Sequence, residues 1–337
     1  MNDERREKSS ASVATGVALA LLLASCAGPV TRGGPTPNAG LGPQFANAGG
    51  VNVAMPEFQN SAFPYRGQIP ASADNPSSKP FLNIADNGRY GHQSPRGGVY
   101  WEDGTYNDRH VLLAASQSFD SRNPGDLVIF FHGNEATLAR DVVDRQQAPR
   151  QLADSGLNGV LIAPQMAVDA LDSSAGRFWQ PGALAAFLDE ADSKLAALYP
   201  DAPRGAFRRM PVILVAYSGG YLPVAFSLAH GGASERVRGV ILLDALYGEQ
   251  DKFADWIERA HDRAFFVSAY SKSSHDQNEA LRARLTQAGI NVQDGMPGSL
   301  GPGVVAFIDA GDVDHNDFVN SAWTSNPLRD VLARVAR

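Results

Sequence analysis

From about residue 79 the chain alternates short, wholly apolar runs with longer stretches whose apolar positions recur every three or four residues. The runs at 126–131, 159–163, 211–216, 237–243, 264–270 and 304–308 carry hardly a polar side chain, as strands buried on both faces do. Two earlier runs, 98–101 and 110–115, are expected as strands joined through Asp103-Gly104. Helical spacing covers 136–154, 181–198, 221–230, 251–260, 278–288 and 330–335. Pro181 and Pro223 fall in first turns, where the missing N–H costs nothing. Gly289 closes the fifth of these helices. Strand and helix in alternation predict an α/β fold: a mostly parallel sheet with helices on both faces, spanning residues 79–337.

The first 78 residues break this pattern. Residues 26–78 are rich in Gly, Pro, Asn, Ala and Ser, too poor in bulky apolar groups to offset the entropy of ordering, and are expected to form a flexible tether. Phe58, Phe63 and Tyr65 are the members with reason to dock on the domain. Ahead of them, Arg5, Arg6 and Lys8 precede an apolar run from Ala11 to Ala24, too short to span a bilayer comfortably but of signal-peptide length. Leu23-Ala24-Ser25-Cys26 follows and resembles the lipobox of bacterial lipoproteins. That resemblance implies cleavage of residues 1–25 and acylation of Cys26. It also implies a cell-envelope protein held to a membrane by lipid, with Ala27 favouring the periplasmic side of the outer membrane.

Cys26 is the single cysteine, so the mature domain has no disulfide and no cysteine nucleophile. A formal charge of −7 argues against a nucleic-acid partner. The seven histidines show no HExxH spacing, and no metal or cofactor motif is present. Asp312, Asp314 and Asn316 have the starting spacing of a calcium loop, but Asp317 stands where that loop needs glycine.

The most informative residues are Ala216-Tyr217-Ser218-Gly219-Gly220, between an apolar run and a helical one. A serine on a strained strand-to-helix turn, with small neighbours, lifts its hydroxyl clear of the sheet at a helix N-terminus. His315 stands in the acidic segment 312–317, just past the last strand. Asp244 closes the run Val240-Ile241-Leu242-Leu243, where a carboxylate is costly without a partner. Asp276 competes for the same role, although it and Ser274 also suit a helix start.

Ser218, Asp244 and His315 in that order resemble the α/β-hydrolase superfamily, over residues from about 95 onward. In that family the nucleophile follows the fifth strand, an acid the sixth or seventh, and a histidine the last. Ala216 departs from the more frequent glycine. The resemblance implies an α/β-hydrolase fold with a Ser218–His315–Asp244 triad, Asp276 being the alternative acid. It also implies an oxyanion hole from the backbone of Gly219 and of Asn134, in the turn His132-Gly133-Asn134. His132 is then structural, and Glu135 faces solvent. Phe178, Trp179, Tyr221, Tyr247, Phe253 and Trp256 are candidates to line an acyl pocket. With one short helix in residues 245–263, a small lid or none is expected.

These readings converge on an envelope serine hydrolase for small acyl substrates, esters before amides. A hydrolase fold that lost catalysis and serves as a binding or scaffold lipoprotein is one alternative. A cell-wall peptidase or amidase is another.

Overall fold

A computed structural model describes residues 46–48 and 50–336; the expected signal peptide, Cys26 and the first part of the expected tether, up to residue 45, lie outside the described residues. The compact unit that contains them is built on one ten-stranded sheet. Its strands are β1 (Ala46–Ala48), β2 (Val51–Ala54), β3 (Val111–Ser116), β4 (Asp126–Phe131) and β5 (Gly159–Pro164). They continue as β6 (Val212–Tyr217), β7 (Val237–Leu243), β8 (Phe265–Tyr270), β9 (Gln293–Asp294) and β10 (Val305–Asp309). The order across the sheet is β1-β2-β3-β5-β4-β6-β7-β8-β10-β9.

β3 runs against both its neighbours, Ala114 facing Val53 and Leu161. From β5 onward every pairing is parallel, with Ile129, Leu214 and Val240 in one row across β4, β6 and β7. Apart from the short outer strands β1 and β9, the sheet is eight strands in the order 1-2-4-3-5-6-7-8 with only the second reversed. This is the α/β-hydrolase fold.

The apolar strands have two core faces because helices cover both. Ile129, Leu214 and Leu242 pack under α2 (Ala183–Leu198), α3 (Tyr221–His230), α4 (Gln250–Ala260) and α5 (His275–Gln287), which contribute Leu184, Phe187, Val224, Ile257 and Leu281. Val128, Phe130, Val215 and Ile241 pack under α1 (Ala148–Ser155) and α6 (Pro327–Ala333) through Leu152, Leu328 and Leu332. Each fully buried side chain of this size is worth about 1.5–3 kcal/mol of transfer free energy, so the two layers fix the strand register.

Three expectations need correction. The tether does not extend to residue 78: β2 pairs with β3, and Phe58, Phe63, Tyr65 and Ile69 are buried in the core. Phe63 and Tyr65 pack against Phe81, and Phe81 against Tyr106 and Trp179, with ring centroids 4.9–5.8 Å apart. A few aromatic anchors outweigh the glycine and proline between them. Next, Val99–Trp101 is a strand, but it belongs to a separate antiparallel sheet with Ile84–Asp86 and Arg89–Gln93, and a helical turn, Glu102–Thr105, leads on toward β3. Finally, the helix expected over 136–154 is two: a π-helix, Leu138–Arg145, and α1. Gln147, at φ 50°, breaks them apart, and Pro149 suits only the start of the second.

Candidate active site

Ser218 follows β6 directly and has φ 52°, a conformation rare for any residue but glycine. The packing around it holds that turn in place. A Cβ on Gly220 would sit 2.2 Å from the Phe131 carbonyl oxygen, and one on Gly133 would sit 2.8 Å from the Ser218 Cβ. Only glycine lets the end of β4 and the start of α3 close around the serine this tightly. Ser218 is 7% exposed and heads α3.

His315 comes from the loop after β10, on a short helical turn, His315–Asp317. Asp314 steadies that turn by accepting the Asn316 N–H at 2.8 Å. The Tyr217 hydroxyl donates to the His315 carbonyl at 2.8 Å, and the Tyr217 ring stacks on the imidazole at 5.2 Å and 21°. Arg145 donates to the Asn316 carbonyl at 3.0 Å. The imidazole thus reaches Ser218 from a loop tied to both β6 and the π-helix. Nε2 lies 2.7 Å from Ser218 Oγ, and Nδ1 lies 2.7 Å from Asp244 Oδ2. An ionised carboxylate only accepts, so Nδ1 carries the proton and Nε2 is free to accept the serine's.

Asp244 follows β7 at φ 44° and is wholly buried. Its Oδ1 accepts the Ser271 N–H at 3.0 Å and the Ser274 hydroxyl at 2.6 Å. Its Oδ2 accepts the hydroxyls of Ser271 and Ser273, each at 2.8 Å, as well as His315. Burial alone would raise this carboxyl, but the hydrogen bonds from His315, Ser274 and Ser271 outweigh it and hold the group well below the usual carboxylate range. Tyr247 adds a flank: its hydroxyl lies 2.7 Å from Ser273 Oγ and 3.2 Å from His315 Nδ1, and its ring meets the imidazole edge to face.

Asp276, the alternative acid, is placed elsewhere. Its side chain is 99% exposed in the first turn of α5 and pairs with His275 at 3.2 Å. Ser274 does occupy the N-cap position of α5, yet its hydroxyl goes to Asp244 instead of capping the helix.

Gly219 and the turn 132–134 abut: Asn134 Oδ1 is 2.5 Å from where a Gly219 Cβ would be, and Ser173 Oγ donates to that same Oδ1 at 3.1 Å. His132 builds the turn from within. The Met166 N–H donates to its Nε2 at 3.0 Å, so the ring proton is on Nδ1 and donates to the Gly133 carbonyl at 2.8 Å. Burial lowers the His132 pKa and keeps the ring neutral. Glu135 is exposed.

Beside Ser173 and Tyr221 opens a cavity of about 270 Å3, lined also by Ile69, Trp179, Phe226 and Arg96. A larger hollow, about 720 Å3, surrounds Asp126, Pro211 and Arg238 at the amino edge of the sheet, the opposite edge from Ser218. Of the aromatic candidates, Trp179 and Tyr221 reach the smaller cavity and Tyr247 reaches His315; Phe178, Phe253 and Trp256 are core. Among the described residues no group of three or more His, Cys, Asp and Glu side chains is placed to hold a metal ion. Asp312 instead pairs with Lys272.

The serines around Asp244 and the tyrosines flanking His315 escaped the sequence reading. Ser271-Lys272-Ser273-Ser274 reads as a polar loop. The one available signal is that a run of hydroxyls follows the strand next to the one that ends in an apolar-flanked aspartate.

No protein-family model matches the chain, and no curated protein sequence does. Solved structures similar to it include the feruloyl esterase module from Clostridium thermocellum, at 13% identity over 81% of this chain and 95% of that one, TM-score 0.45. An S-formylglutathione hydrolase from Agrobacterium tumefaciens has 12% identity, covering 88% and 100%, TM-score 0.43. A fluorophosphonate-binding serine hydrolase of Staphylococcus aureus has 13% identity, covering 73% and 97%, TM-score 0.41. At these values the resemblance assigns no chemistry, which rests on the geometry of the site.

Proposed function

We propose that this protein is a serine hydrolase of carboxylic esters, anchored in the cell envelope through Cys26. The observation that carries the catalytic reading is the unbroken chain Ser218 Oγ–His315 Nε2 and His315 Nδ1–Asp244 Oδ2, both links 2.7 Å. Ser218 attacks the substrate carbonyl carbon while His315 Nε2 takes its proton. The imidazolium so formed is stabilised by Asp244, which keeps its negative charge because the surrounding donors favour the ionised form. The tetrahedral oxyanion forms at the junction of Gly219 and Asn134, whose backbone N–H groups serve as donors. His315 returns the proton to the leaving alcohol. The acyl-enzyme is then hydrolysed by a water that His315 activates in the same way.

A fluorophosphonate probe tests the nucleophile. The wild-type protein is expected to label and to hydrolyse short 4-nitrophenyl esters, and Ser218→Ala to do neither. Undiminished labelling of Ser218→Ala rejects Ser218 as nucleophile, and a wild type inert to probe and esters favours a binding scaffold. For the anchor, Cys26→Ser is expected to abolish palmitate incorporation and shift the protein from the membrane to the soluble fraction. Unchanged incorporation refutes it.

A further inference from the structure

The cavity beside Ser173 and Tyr221 holds an asymmetry in how its charges are partnered. Its acids are engaged within the protein. Glu249 binds Lys252 at 2.6 Å and the Ser72 hydroxyl at 2.7 Å. Asp172, buried, accepts from Tyr106 at 2.8 Å and Ser174 at 3.0 Å. Asp74 accepts the Glu249 N–H at 2.5 Å. The cavity's cations are not so engaged: among the described residues neither Arg96 nor Lys79 has a carboxylate within ion-pairing distance. Lys252 pairs with Glu249, Asp172 is buried, and Asp74 takes the Glu249 N–H, whereas Arg96 and Lys79 line the same cavity without a carboxylate partner among the described residues.

Arg96 is also the better placed of the two. It sits on a tight turn closed by the Gly97 N–H donating to the Ser94 carbonyl at 3.0 Å. Ser94 Oγ accepts the Arg96 N–H at 3.2 Å and donates to the Leu171 carbonyl at 2.8 Å, tying the turn to the loop that carries Ser173. The guanidinium lies over the ring of Tyr247, 5.7 Å from its centroid, and Tyr247 in turn packs on His315. A planar five-donor cation on a backbone-fixed turn, with the Tyr247 ring between it and His315, suits bidentate capture of a carboxylate.

We propose that Arg96 makes this cavity a carboxylate subsite, so that the preferred substrates are esters bearing a free carboxylate away from the scissile bond. The inference rests on the esterase reading above. Its test is a matched pair of substrates: the mono-4-nitrophenyl ester of adipic acid, which is anionic, and the same compound with its carboxylate capped as a methyl ester. The readout is the ratio of kcat/KM, anionic over neutral, from release of 4-nitrophenol. In the wild type the ratio is expected to exceed one and to fall with added salt. Arg96→Ala is expected to lower it by about tenfold or more, the size of a lost charge-assisted pair, and Arg96→Lys to restore part of it. A wild-type ratio at or below one, or a ratio unmoved by Arg96→Ala, overturns the subsite while Ser218-dependent turnover leaves the esterase reading intact. Turnover of neither ester, or turnover that survives Ser218→Ala, removes both. Should Arg96→Ala fail to fold, Arg96→Gln and the salt dependence of the wild-type ratio decide the same question.

Discussion

Replacing Asp244 with asparagine changes one atom type and, by the geometry here, reverses the imidazole. The carboxylate receives five donors: the Ser271 N–H, three serine hydroxyls and His315 Nδ1–H. An asparagine must turn its two amide hydrogens toward some of them. The serine hydroxyls can rotate to accept, but the Ser271 backbone N–H cannot, so the amide oxygen is held at the Oδ1 position. The NH2 group then faces His315 Nδ1, which must present a lone pair, and the ring proton moves to Nε2. Nε2 no longer accepts from Ser218. Tyr247, at 3.2 Å, is the one other acceptor for Nδ1–H, and it is uncharged. A wrong tautomer with intact geometry costs about ten-thousandfold in kcat, or about 5 kcal/mol of transition-state stabilisation. The assay is kcat and KM on a short 4-nitrophenyl ester, with thermal melting to show that the variant folds. KM should change little. A folded Asp244→Asn variant within tenfold of wild-type kcat would refute the tautomer argument, and Asp276→Asn, altering an exposed side chain, should match wild type.

Three further outcomes follow from the same geometry. Gly133→Ala pushes a methyl to 2.8 Å from the Ser218 Cβ, so kcat should fall about a hundredfold while stability drops by about 1–3 kcal/mol; near-normal kcat means the turn yields instead. Tyr217→Phe removes the hydroxyl held by the His315 carbonyl and should cost about 1 kcal/mol of stability and lower kcat without raising KM; a rise in KM alone contradicts a positioning role. Because the folded Asp244 carboxyl lies below its unfolded value, its charge contributes stability in full above about pH 4 and loses it as pH falls through the folded value. Ser274→Ala removes one of the donors responsible, so it should be less stable than wild type by about 1.5–3 kcal/mol at pH 7, with the gap narrowing below pH 4. Urea unfolding at the two pH values checks this, and a gap that does not change with pH excludes the linkage.

Local information fixed most of what the sequence disclosed. Six buried strands announced themselves because a strand covered on both faces has no polar positions to confuse the pattern. The serine turn was legible because its constraint is local: a strained residue needs small neighbours, and Gly219 and Gly220 adjoin it in the chain. The order of Ser218, Asp244 and His315 follows from topology, since parallel strands deliver all three following loops to one sheet edge. What the sequence left open depended on contacts between distant segments. Asp244 and Asp276 both follow apolar strands, and only the fold shows one buried 2.7 Å from His315 and the other in solvent. β2 and the segment after it hid in a stretch whose composition resembles a linker, because β2 is stabilised by pairing with β3, and Phe63 and Tyr65 by aromatic partners such as Phe81 and Trp179, further along the chain. Likewise Ser271, Ser273 and Ser274 are unremarkable as a loop. They acquire a role because β8 lies beside β7, which brings their hydroxyls to a carboxylate that burial would otherwise neutralise.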